Sequence, residues 1–113
     1  MDNYLILLHE VNLMPEMSPE EMQVVFARYK AWRQRLNDSG SFVGSAKLES
    51  TGRVMRAEGG KTRITDGPFA ETKDVLGGYF LIQAESYEKA VALCEDSPHL
   101  DFGAVEVRRI ELV

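Results

Sequence analysis

Tyr4-Leu5-Ile6-Leu7-Leu8 is an unbroken apolar run, and Tyr79-Phe80-Leu81-Ile82 repeats the pattern further along the chain. Successive side chains of a β-strand point to opposite faces, so a strand that is apolar at every position has both faces covered. Both segments are therefore expected in the middle of a sheet. Between them, Ser18 is placed as an N-cap, Pro19 as the first helical residue and Glu21 as the partner of a capping box. Met17 and Met22 stand at the positions of a hydrophobic staple. Met22, Val25, Phe26, Tyr29, Trp32 and Leu36 then recur at helical spacing, which predicts a helix over Met17 to Asp38 with one buried stripe. Asn37-Asp38-Ser39-Gly40 stops it, with Gly40 as a left-handed cap.

Phe42 to Glu49 reads as a second strand, and Arg53 to Glu58 and Lys61 to Thr65 flank Gly59-Gly60 as a polar hairpin. Asp66 to Asp74 reads as a loop. Ser86 caps a shorter helix with Tyr87, Ala90, Val91 and Cys94 on one face, and Ser97-Pro98 ends it. The last strand runs from Ala104 to Leu112. Val105 and Val107 have the opposite parity to Ile110 and Leu112, which predicts a bulge near Arg108-Arg109. The order is that of an α+β, ferredoxin-like βαββαβ subunit with an antiparallel sheet, two helices on one face and an extra β-hairpin arm.

At 113 residues the chain is one domain, and 44% hydrophobic with 27% charged residues is ordinary for a soluble globular protein. A net charge of -5 gives no general attraction to nucleic acid or anionic lipid. One cysteine excludes an internal disulfide, and no apolar run approaches a membrane span. No basic stretch precedes the Tyr4 run, so a secretory signal is not expected and the cytoplasm is the expected compartment.

Two helices cover one face of a four-stranded sheet, yet the central strands present large apolar side chains to both. A second copy of the chain, sheet against sheet about a twofold axis, would cover the other face. An obligate homodimer burying about 1,200–2,000 Å² or more is expected. The polar hairpin, with Arg53, Arg56, Lys61 and Arg63, makes a poor lid by comparison.

The most informative loop is Asp66-Gly67-Pro68-Phe69, followed by Ala70-Glu71-Thr72-Lys73 and Gly77-Gly78-Tyr79. Asp66 can accept a hydrogen bond from the backbone N–H of Phe69 in an Asx-turn, Gly67 is biased towards extended backbone by Pro68, and Phe69 can anchor the loop from below. That describes a rigid turn, and rigid turns beside a sheet are where binding groups sit.

The run Thr65 to Lys73, then Leu76-Gly77-Gly78-Tyr79, resembles the YCII-related family in the branch named for its D-G-P-F motif. The resemblance extends to the strand leading to His9, the Ser-Pro-Glu-Glu helix start and Val105-Glu106-Val107-Arg108. It implies a dimeric α+β barrel of ferredoxin-like subunits. Members are often encoded beside, or fused to, alternative sigma factors, which implies a sigma-factor association. A related branch is linked to enzymatic work through a His–Asp pair, and a dehydrochlorinase resembles it. That branch carries its histidine on the first helix, where this chain has Tyr29 and Trp32, so the pair does not transfer.

Among the other candidates, His9 shares a strand face with Leu5 and Leu7 while Glu10 points the other way, so the two cannot chelate one ion together. His99 reads as a surface residue and Cys94 as a small core residue. Tyr29 and Trp32 read as core residues whose polar tips could line a cleft between helix and sheet. No phosphate loop, nucleophile elbow or clustered metal ligands occur, so neither metal nor cofactor is expected. Three functions stay open: a small-molecule binding dimer, a cofactor-independent acid–base enzyme acting on a small substrate, aromatic ones included, and a protein-interaction module. The candidate catalytic groups are Asp66 and His9. The candidate ligand-binding groups are Asp66, Gly67, Pro68, Phe69, Tyr79, Trp32 and Tyr29.

Overall fold

The computed structural model of the chain describes residues 1–11, 16–67 and 74–113. Its elements are β1 (Asp2–Val11), α1 (Pro19–Asp38), β2 (Phe42–Lys47), β3 (Gly52–Glu58), β4 (Lys61–Gly67), β5 (Asp74–Ala84), α2 (Tyr87–Cys94), a short 3-10 turn at Pro98–Asp101 and β6 (Val105–Arg109). The strands β2-β5-β1-β6 form one antiparallel sheet, with β1 and β5, the strands that are apolar on both faces, at its centre. Strands β3 and β4 pair with each other around Gly59-Gly60, where φ is positive at both glycines. No helix among the described residues is long and apolar enough to cross a membrane.

Helix α1 starts as its sequence dictates. The Ser18 hydroxyl accepts from the Glu21 N–H and the Glu21 carboxylate accepts from the Ser18 N–H, the reciprocal bonds of a capping box. One parity of the sheet is buried under the helices: Tyr4, Ile6 and Leu8 on β1, and Phe80, Ile82 and Ala84 on β5. Trp32 and Leu36 press onto this layer from α1, as do Ala90 and Cys94 from α2. The Trp32 ring lies 4.4 Å from that of Phe80, and its indole N–H donates to the Leu93 carbonyl of α2 at 3.0 Å, tying the helices together.

The opposite parity, with Leu5, Leu7, Tyr79 and Leu81, is only partly buried. The chain is 18 Å thick along its thinnest axis, enough for one sheet and one helix layer. Its radius of gyration, 16.3 Å, exceeds the roughly 13 Å of a compact chain this long.

Three details depart from the sequence reading. The β1–β6 ladder runs without a shift from Tyr4↔Arg109 to Leu8↔Val105, so there is no bulge at Arg108-Arg109. Leu112, 91% exposed, and Ile110 have no burial to satisfy. The register shifts instead between Leu8 and His9, opposite Gly77, and between Phe42 and Gly44. On α2, Ala90 and Cys94 are buried but Val91 faces outward. Tyr87 lies over the sheet edge, its ring 5.0 Å from Tyr4 and its hydroxyl accepting from the Arg109 N–H. Asp66 and Gly67, expected in a loop, prolong β4, and Asp74, at the other end of that expected loop, opens β5. Pro68, Phe69, Glu71 and Lys73 lie outside the described residues.

Candidate functional site

The apolar stripe of α1 is buried along only half its length. Trp32 and Leu36 are 0% and 2% exposed, whereas Met22 and Phe26 on the same stripe are 40% and 55% exposed. The first half of the helix stands off the sheet and leaves an open cleft of about 640 Å³. Leu8 and Phe80 line it from the sheet, Val25, Phe26 and Tyr29 from α1, and Phe102 from the segment after the 3-10 turn. Glu10 shares the parity of Leu8 and reaches the same space. The register shift beside Leu8 brings Gly77 against it, where a β-carbon would collide with the Glu10 carboxylate. Glycine at 77 thus makes room for a charge at the cleft.

At the inner end stands His99, 1% exposed. Its Nε2 lies 2.7 Å from the His9 backbone carbonyl, and its Nδ1 lies 2.7 Å from the Tyr29 hydroxyl. A carbonyl oxygen only accepts, so Nε2 carries the proton. In the neutral ring Nδ1 is then the acceptor, and Tyr29 donates to it. Burial, and next the nearby Glu10, push the Tyr29 hydroxyl up to about 12, so it stays protonated across the neutral range. Gly103 packs against the same His9 carbonyl so closely that a β-carbon there would overlap the oxygen. The turn is further fixed by Ser97, whose hydroxyl accepts from the His99 N–H, and by the Arg28–Asp101 ion pair at 2.8 Å.

The charges around the cleft are unequal. Lys30 and Arg33 on α1 and Lys47 at the end of β2 line it, against one carboxylate, Glu10, among the described residues. Elsewhere on α1, Arg28 pairs with Asp101 and Arg35 with Asp96. Lys30, Arg33 and Lys47 form no ion pair among the described residues. An apolar hollow ringed by unneutralised cations suits a small molecule with an apolar body and a negative end.

The residues singled out from sequence are dispersed. Asp66 sits on β4 with its side chain 91% exposed, 3.4 Å from Arg53. His9 is on the open sheet face, where its Nε2 donates to Glu106 at 2.8 Å and the other oxygen of that carboxylate accepts from Arg108. These two donors, His9 first, hold the Glu106 carboxyl below its ordinary value. Tyr79 shares the open face. Trp32 is wholly enclosed, with its N–H spent on Leu93. Gly67 borders a second hollow, which meets the cleft at Glu10, Lys47 and Gly77. Of the residues named from sequence, Tyr29 lines the cleft. Pro68 and Phe69 lie outside the described residues. His99 is buried, not on the surface, because its partners Tyr29 and His9 are 70 and 90 positions away and meet it only in the fold. Sequence reasoning also missed Glu10, Lys30, Arg33 and Lys47. The available signal was Lys30 and Arg33 flanking the apolar stripe with no acidic residue three or four positions away. Among the described residues, no three His, Cys, Asp or Glu side chains converge as metal ligands do.

The model of the YCII-related domain matches residues 3–112. The chain belongs to the YCII-related family. This YCII-related protein is 32% identical over 99 residues to an uncharacterized protein of Rhizobium meliloti (strain 1021), covering 84% of this chain and 80% of that one. It is also similar to the solved structure of a 5-chloro-2-hydroxyhydroquinone dehydrochlorinase from Burkholderia phenoliruptrix AC1100, in complex with 2,5-dihydroxybenzoquinone. There the identity is 21%, the TM-score 0.45, and the match covers 96% of this chain and 93% of the other.

Proposed function

We propose that this YCII-related protein binds a small molecule with an apolar body and an anionic end in the cleft under the first half of α1. One observation carries the reading: Lys30, Arg33 and Lys47, without ion-pair partners among the described residues, ring an apolar hollow in a chain of net charge -5. Burying a ring against Val25, Phe26 and Phe80 contributes about 1.5–3 kcal/mol. The cations orient the charged end, and the Tyr29 hydroxyl marks the depth of the site. The Thr65–Lys73 run supports placement in the D-G-P-F branch. The hollow beside Gly67, at the loop's attachment, shares Glu10, Lys47 and Gly77 with the cleft, which supports a site bordered by that loop.

Titration with 8-anilinonaphthalene-1-sulfonate, followed by its fluorescence, tests the reading. Removing both charges by Lys30→Ala and Arg33→Ala is expected to weaken binding about tenfold, or about 1.4 kcal/mol. Lys89→Ala, an exposed cation of α2 outside the cleft lining, is expected to leave the affinity within about twofold. Equal weakening by both changes, or none by the double variant, would overturn the reading.

A second copy of the chain on the open face is the partner we favour, because Leu5, Leu7, Tyr79 and Leu81 are only partly buried in a molecule 18 Å thick. Sedimentation at micromolar concentration is expected to give a dimer for the wild type and a monomer for Leu81→Arg. A wild-type monomer would rule the partner out.

A further inference from the structure

We propose that Tyr29 and His99 form a proton relay that accepts a proton from a phenol-type hydroxyl held in the cleft. The inference rests on the cleft being the ligand site and adds a reaction to it. Nε2–H of His99 is fixed on the His9 carbonyl at 2.7 Å, which leaves Nδ1 as the ring's basic atom. The Tyr29 O–H occupies that atom at 2.7 Å, and Tyr29 itself lines the cleft. A ligand hydroxyl thus meets the basic nitrogen through the Tyr29 oxygen, which accepts one proton while giving up another.

The step balances. The ligand O–H bond breaks and a Tyr29 O–H bond forms. The original Tyr29 O–H bond breaks and an N–H bond forms at Nδ1. The products are a ligand phenolate and a His99 imidazolium, with no oxidant, reductant or third reactant. Both N–H groups of the imidazolium have acceptors already in place, the Tyr29 oxygen and the His9 carbonyl, so no partner has to move. The close approach at Gly103 holds that carbonyl in position. The charged groups facing the pair are Glu10 from β1, Arg28 from α1 and Asp101 from the turn. Glu10 favours the imidazolium, while Lys30, Arg33 and Lys47 favour the phenolate. Tyr29 is the catalytic residue of this step and His99, acting through it, the positioning residue.

The test uses 4-nitrophenol, whose phenolate is seen by its visible absorbance, with the full-length protein in excess at a pH below the probe's solution midpoint. In the wild type, binding is expected to raise the phenolate-to-phenol ratio about tenfold over Tyr29→Phe at equal occupancy. The cationic rim is the same in both, so the difference reports the Tyr29 hydroxyl, and the protonation of His99 separates a relay from a direct hydrogen bond to the phenolate. Nitrogen NMR of labelled histidine gives a second readout on the wild type alone: His99 is expected to change from neutral ring to imidazolium as the probe binds. Bound probe with equal ionisation in both proteins, or a His99 ring that stays neutral, overturns the relay and leaves the cleft reading standing. A probe that does not bind also overturns the relay, while the cleft reading is decided by the anionic dye.

Discussion

The half-buried stripe of α1 predicts an asymmetry in what its aromatic residues contribute to stability. Trp32→Phe removes the indole N–H from the Leu93 carbonyl, one of the last four carbonyls of α2, which have no intrahelical partner. Leaving that part-buried acceptor without its donor costs about 1–3 kcal/mol. Trp32 is 0% exposed and stacks 4.4 Å from Phe80, so the smaller ring also leaves a void worth about 1 kcal/mol more. With unfolding entropy near 2.1 cal/mol/K per residue, the sum of about 2–4 kcal/mol corresponds to a Tm lowered by roughly 8–16 °C. Phe26→Ala, on the same stripe, removes a ring that is already 55% exposed. A buried Phe→Ala costs about 3–5 kcal/mol, but here the expected cost is under about 1 kcal/mol, or a few degrees. Thermal unfolding followed by far-UV circular dichroism measures both. If Phe26→Ala is as costly as Trp32→Phe, the first half of α1 packs onto the sheet and the cleft is not open.

Three further outcomes follow from individual contacts. Ser18→Ala is expected to lower stability by about 1 kcal/mol in urea unfolding, with Ser18→Asp restoring most of it, since the hydroxyl accepts from the Glu21 N–H at 3.1 Å. An unchanged midpoint in Ser18→Ala would show that the cap contributes nothing. Burial pushes the Cys94 thiol up to about 12, so a thiol-specific disulfide reagent at mildly alkaline pH is expected to label it only after unfolding; rapid labelling of the native chain would contradict its enclosure. The Glu106 carboxyl is held below its ordinary 4.5, so its contribution is present above that value and fades as the pH falls through the lower folded value. Glu106→Gln is expected to flatten the acid limb of the stability–pH curve, and an unaltered limb would refute the His9–Glu106 bond.

The sheet order and the first helix could be read from sequence because they depend on local rules. A run that is apolar at every position, as at Tyr4–Leu8, admits few places other than a central strand, and a capping box declares its own start. The site could not be read that way. Trp32 and Phe26 carry the same helical-periodicity signal, yet one is enclosed and the other stands over a cleft, because the difference is set by how α1 diverges from β5. His99 looked like a surface residue after Pro98, since nothing local records that Tyr29 and the His9 carbonyl will meet its two nitrogens. The register shift opposite Gly77 is also a property of the β1–β5 pairing, and it brings Glu10 to the cleft. The Asp66 loop drew attention through its motif, whereas Asp66 itself is exposed on β4.

The central claim is that the hollow beneath α1 takes an apolar anion, and amide NMR of the labelled protein during titration with naphthalene-2-carboxylate tests it most directly. Saturable shifts at Val25, Phe26, Tyr29, Lys30, Ser45 and Gly78, which line the cleft, are the result predicted. Shifts confined to Leu5, Leu7, Tyr79 and Leu81 on the opposite face of the sheet, or no saturable shifts at all, would contradict it.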